Sequence, residues 1–116
     1  MAPYRFFDGE ALLDKFGGDD DFLRGLLDVV LRTAASWPAD LREAGSRADF
    51  AGLAGLAHKV KGTAGDLVAT DLQARARDAE HAARSADPGA IGLNLALADA
   101  LDDLLAEIRT AVAGSG

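Results

Sequence analysis

The chain has 116 residues, no cysteine and a formal net charge of −7, a length that suits one folded unit (1–116, core about 7–113) able to bury roughly 65% of its unfolded surface. Without cysteine there are no disulfides, thiolate nucleophiles or thiolate metal ligands, and the acidic balance argues against nucleic acid, whose binders present basic patches. No apolar run approaches the ~18 residues of a membrane span, and the N-terminus lacks the basic-then-apolar order of a leader, so the expectation is a cytoplasmic protein with no membrane segment.

Apolar residues recur at helical spacing along nearly the whole chain. Asp8 is placed to cap a first short helix, with Phe7 and Leu12 set to pack across the cap. That helix carries Leu12, Leu13 and Phe16 and ends at Gly17-Gly18. Asp19 to Asp21 supply a cap and first-turn negative charge for a second helix, with an inward stripe of Leu23, Leu26, Leu27, Val30, Leu31 and Ala34. Trp37-Pro38 predicts a kink or break, because proline lacks the backbone donor and disfavours helix at the residue before it. Leu41 and Ala44 resume the stripe before a turn near Gly45 and Ser46.

A further helix begins around Asp49, with Leu53, Leu56, Ala57, Val60, Ala64 and Leu67 facing inward. Thr70 to Gln73 has the form of a capping box opening a helix of Leu72, Ala76, Ala79 and Ala83. Asp87-Pro88 reads as a cap with proline at the first helical position, leading to a last helix of Leu97, Leu101, Leu104, Leu105, Ile108 and Val112. Gly114 to Gly116 is expected to fray. No period-2 strand run and no internal repeat is present. Short connections between long amphipathic helices predict an all-α, antiparallel up-down four-helix bundle with a short extra N-terminal helix.

The stretch from His58 to Ala64 is the part with chemistry in it. Residues three and four apart are neighbours on a helix surface, so Lys61 and Gly62 flank His58 on the face opposite the stripe. Of the three lysines in the chain, Lys59 and Lys61 adjoin His58, and no acidic residue occurs from Phe50 through Gly65. Such a face suits an anionic group or an acidic partner. Gly62 on its own reads as a helix end, but Val60, Ala64 and Leu67 continue the stripe past it. An interior glycine costs ~1 kcal/mol against alanine, and close approach of another group would account for it. A neutral imidazole (ordinary pKa ~6.5) offers a lone-pair nitrogen to phosphorus. Lys61 is placed to offset phosphoryl charge, and Gly62 to leave room. Lys59 is equally well read as a solvated lysine. His81, among Asp78, Glu80 and Arg84, reads as a solvated histidine, and no metal-ligand pairing joins it to His58. No nucleotide-binding loop or nucleophile elbow appears.

The segment from His58 to Ala69 resembles the histidine-containing phosphotransfer (HPt) family of two-component signalling, whose motif is H-x-[LV]-K-G-[ST]-[AS] followed by L-G-A. His58, Val60, Lys61, Gly62, Thr63 and Ala64 match the motif, and Leu67 and Ala69 match the later segment. Phe7-Asp8, Leu12-Leu13, Gly17-Gly18-Asp19 and Phe22-Leu23 are similar to the opening of bacterial members. Val68 departs from the pattern, standing where the family usually has glycine.

The resemblance implies a carrier without kinase activity that exchanges a phosphoryl group between His58 and receiver-domain aspartates of response regulators, with a hybrid histidine kinase upstream. It implies no cofactor of its own, Mg²⁺ coming with the receiver. Ala54, Gly55, Lys59, Gly65 and Val68 are the expected receiver-docking positions around His58, Val68 bearing on partner choice. A monomer is expected. The alternatives are a silent scaffold that binds a receiver or kinase without being phosphorylated, the phosphoacceptor domain of a chemotaxis-type kinase, and a metal- or cofactor-binding bundle.

Overall fold

The computed structural model describes residues 5–114, which form six α-helices and no strand. The helices are α1 (Gly9–Lys15), α2 (Asp20–Ala34), α3 (Trp37–Ser46), α4 (Phe50–Asp66), α5 (Thr70–Arg84) and α6 (Ala90–Gly114). Ser115 and Gly116, where fraying is expected, lie outside the described residues.

Three helix starts are fixed by aspartates, two of them expected as caps (Asp8, Asp19) and the third (Asp49) expected only as a helix start. Asp8 accepts from the Ala11 amide at 3.0 Å, Asp19 from Phe22 at 3.0 Å and Asp49 from Gly52 at 2.9 Å. Each satisfies an amide that the first helical turn leaves without a partner. The break at Trp37-Pro38 is also present, with proline in the first turn of α3. Trp37 and Pro38 are both buried, so the kink is anchored in the core.

Two helix starts differ from expectation. Ala69, not Thr70, is the N-cap of α5, and no side chain caps it. The connection after α4 is so short that Ala69 also closes that helix, donating to the Ala64 carbonyl at 2.8 Å. Thr70 is thereby drawn into the first helical position, and the capping box does not form. At the other end of α5, Asp87 accepts from the Gly89 amide at 2.7 Å and α6 starts only at Ala90. Asp87-Pro88 thus builds the turn before the helix rather than its first residues.

Buried side chains from all six helices merge into one core. The most enclosed include Leu41, Leu53, Val60, Leu72, Leu97, Leu101, Leu104 and Ile108. Leu26, Leu31, Leu56 and Val112, expected in the stripes, pack at the core's margin and are partly buried. Helices α3, α4, α5 and α6 pack in a closed ring, with α4 and α6 also meeting across it, and α2 packs on α6. Many inward positions of α4 and α5 are alanine, and these two helices are in extensive contact. That pairing positions the site.

At the periphery, Glu107 of α6 accepts from the amides of Phe6 and Phe7 at 2.9 and 3.0 Å, tying the N-terminal segment to the longest helix. Lys15 donates to the Asp66 carbonyl at 2.9 Å, placing a cation at the C-terminal end of α4. Asn94 reaches from α6 to the Ala79 carbonyl of α5 at 3.2 Å within the core.

Candidate functional site

His58 lies in the middle of α4, its side chain 62% exposed. Val60 and Ala57 beside it in sequence point into the core, so the helical period itself places the imidazole outward. Lys61 and Gly62 are on the same face, as the spacing predicts. A Cβ built on Gly62 would meet nothing within 4 Å. Internal packing therefore does not require a glycine there, although α4 runs straight through it. Gly55, two turns earlier, is likewise open and exposed.

The acid-free patch read from the sequence is corrected by α5. Glu80 comes in from that helix and sits between His58 and Lys61 with its side chain only 8% exposed. Its Oε1 is 2.7 Å from the Lys61 ammonium. Its Oε2 lies 3.2 Å from His58 Nδ1 and accepts from Arg84 Nε at 2.9 Å and Nη2 at 2.6 Å. The hydrogen bond from Lys61 is the main influence on the carboxyl. Burial opposes it and Arg84 reinforces it, so Glu80 is held at about 2 instead of 4.5. Glu80 is a carboxylate at neutral pH.

That charge state fixes what the histidine can do. An ionised carboxylate only accepts hydrogen bonds, so the contact is favourable when Nδ1 carries the proton. Nε2 then holds the lone pair. If Nε2 forms a bond to an electrophile, the ring becomes cationic with its proton on Nδ1, where the Glu80 carboxylate balances it. The cluster of His58, Lys61, Glu80 and Arg84 is thus an exposed nucleophile oriented by a buried acid and surrounded by net positive charge.

The other expected docking positions fare differently. Lys59 is exposed. Ala54 is 4% exposed and belongs to the core, forming part of the floor of a shallow depression lined also by Phe50, Ala51, Ala83, Arg84 and Ala86. It is not the low, accessible residue expected. Gly65 is partly buried, and the amide of Gln73 from α5 lies across the space its side chain would take. Val68 is beyond the end of α4, partly buried against the core, with a φ of 56°. Left-handed backbone at this turn explains why a glycine suits the position. The departure at Val68 is a matter of chain geometry at a helix end.

Glu80 and Arg84 were missed by sequence reasoning. The available signal was an acidic residue in line with the inward alanines Ala76, Ala79 and Ala83, followed four residues later by an arginine. His81 is exposed and apart from the cluster. Among the described residues no three histidine, cysteine or carboxylate side chains converge as a metal site, and no helix is long and apolar enough to cross a membrane.

The fold and the site together define a helical bundle that presents an exposed histidine oriented by a buried carboxylate from the neighbouring helix. The family model described as Hpt domain matches residues 25–111. The chain belongs to the Hpt domain family, whose members serve phosphotransfer in two-component signalling. Comparison with curated proteins and with solved structures gave no match.

Proposed function

We propose that the protein is a histidine phosphocarrier of a phosphorelay, in which His58 Nε2 takes a phosphoryl group from the aspartyl phosphate of one response-regulator receiver domain and returns it to the aspartate of another. The observation that carries this reading is the pairing of an exposed His58 with the buried, ionised Glu80, which holds the proton at Nδ1 and leaves Nε2 for phosphorus. Nε2 attacks phosphorus, the aspartyl oxygen leaves with its electron pair, and the resulting cationic ring faces Glu80. Lys61 offsets charge on the phosphoryl oxygens, and Gly62 leaves clearance for them and for the partner.

The receiver supplies Mg²⁺ and most of the charge stabilisation, and the bundle contributes a rigid, positioned nucleophile without kinase activity. A hybrid histidine kinase is the source of the phosphoryl group. The carrier works in the cytoplasm as a monomer, as one domain spanning 1–116. In the topology that supports this role, α2 and α3 form one kinked arm, which with α4, α5 and α6 makes an antiparallel up-down four-helix bundle capped by α1. The short connections and the ring of neighbouring helices support that arrangement.

The test is phosphorylation by phosphoramidate and by phosphorylated receivers, followed by intact mass and site mapping. An acid-labile phosphate on His58 that is absent from a folded His58→Gln variant is the expected result. Undiminished phosphorylation of that variant would overturn the assignment.

A further inference from the structure

Glu80 engages two cations, Lys61 through Oε1 and Arg84 through Oε2. Lys61 is bound to Oε1 at 2.7 Å, yet it is also the cation placed to meet a phosphoryl group on His58. It cannot do both at full strength. If Lys61 left an otherwise unpaired carboxylate, the buried charge would stand uncompensated, which is strongly unfavourable. Arg84 removes that obstacle, because it grips the other oxygen through both Nε and Nη2. It reaches Glu80 from one turn further along α5, so its hold is independent of α4. Lys61 has 31% of its side chain exposed, so its ammonium is not sealed in the core.

We propose that Arg84 is a positioning residue that keeps Glu80 paired and facing His58 Nδ1, releasing Lys61 to bind the phosphoryl oxygens. This rests on the phosphocarrier reading for its purpose, and on the four-residue geometry alone for its mechanism. On phosphorylation, Lys61 moves from Oε1 to the phosphoryl oxygens while the Arg84–Oε2 pair stays in place. The charged or titratable groups facing Glu80 are His58 and Lys61 from α4 and Arg84 from its own helix. Two cations serving one carboxylate are what allow one of them to leave.

The experiment combines two readouts on the full chain. The first is the rate of His58 phosphorylation by phosphoramidate in wild type, Arg84→Gln, Arg84→Lys, Glu80→Gln and the Glu80→Gln/Arg84→Gln double variant. Arg84→Gln is expected to slow phosphorylation about three- to fivefold, the scale of a partly exposed ion pair, with Arg84→Lys recovering most of the loss. In the Glu80→Gln background Arg84→Gln should have no further effect, since no buried carboxylate remains to be kept paired or to hold the lysine. Equal slowing with and without Glu80 would overturn the proposal, as would a wild-type rate in Arg84→Gln.

The second readout needs no phosphoryl group. Hydrogen exchange of the Lys61 ammonium, followed by NMR, should be slower in Arg84→Gln than in wild type, because the lysine is then held at Glu80. Unchanged exchange would overturn the coupling. Should the wild type accept no phosphate while the exchange slows as expected, the carrier reading fails and the coupling stands.

Discussion

Gly62 separates two demands that usually coincide. Inside the chain nothing needs it, because a Cβ there has open space, and an interior glycine weakens a helix. Gly62→Ala should therefore stabilise the fold by about 1 kcal/mol, visible as a rise of several degrees in Tm. Gly62→Gln puts a longer side chain one turn from His58. It should slow transfer with a receiver domain severely while phosphoramidate, a small donor, still reaches the imidazole. Comparing the two donors tells crowding of the partner from damage to the nucleophile, and equal loss with both would show that the glycine serves the imidazole itself. His58, Lys61 and Gly62 were legible because one helix sets their spacing. Glu80 was not, because its meeting with His58 depends on the register between α4 and α5, which no local pattern encodes.

Helix ends show the same division between local and non-local information. Four of the helices close with one motif, an amide bonding back five residues across a residue of positive φ. The bonds are Gly18 to Leu13, Asp49 to Ala44, Ala69 to Ala64 and Asp87 to Ala82, at 2.8, 2.9, 2.8 and 3.0 Å. The left-handed residues are Gly17, Ala48, Val68 and Ala86. Glycine marks the first closure alone, so that one was readable and the other three carried no signal. The misplaced start of α5 follows directly: an unmarked closure at Val68 consumed Ala69 and moved Thr70 into the helix. Aspartate caps, by contrast, act on amides within the same turn: Asp8 and Asp19 were read as caps, and Asp49 as the point where its helix begins. Ala48 and Ala86 are exposed, so replacing them sacrifices little packing. Ala48→Gly and Ala86→Gly should each stabilise by about 0.5–1 kcal/mol by relieving left-handed strain, net of the added freedom of the unfolded chain. Denaturant unfolding measures this directly, and a loss of stability in both variants would contradict the φ values on which the argument stands.

At the scale of the molecule, the site is also a seam of the fold. His58 and Lys61 belong to α4, Glu80 and Arg84 to α5, and the charges that orient the histidine bridge two helices whose buried positions are largely alanine. Ionisation of Glu80 is therefore linked to folding. Its carboxyl titrates at about 2 in the folded state against 4.5 as its ordinary value. A lowered folded pKa favours the native state fully above about pH 4.5, and that contribution falls away as the pH drops toward 2. The whole shift corresponds to about 3 kcal/mol. Arg84 and His58 are more than half exposed, so solvent screening brings the expected contribution down to about 1–2 kcal/mol. Other carboxylates also titrate in this window, and Glu80→Gln isolates the one in the seam. The stability difference between wild type and Glu80→Gln, measured by urea unfolding, should be near 1–2 kcal/mol at pH 6 and should shrink steadily below pH 4.5. A difference that stays constant from pH 6 to pH 2.5 would mean that Glu80 holds α4 and α5 together by shape and hydrogen bonding, with its charge reserved for His58.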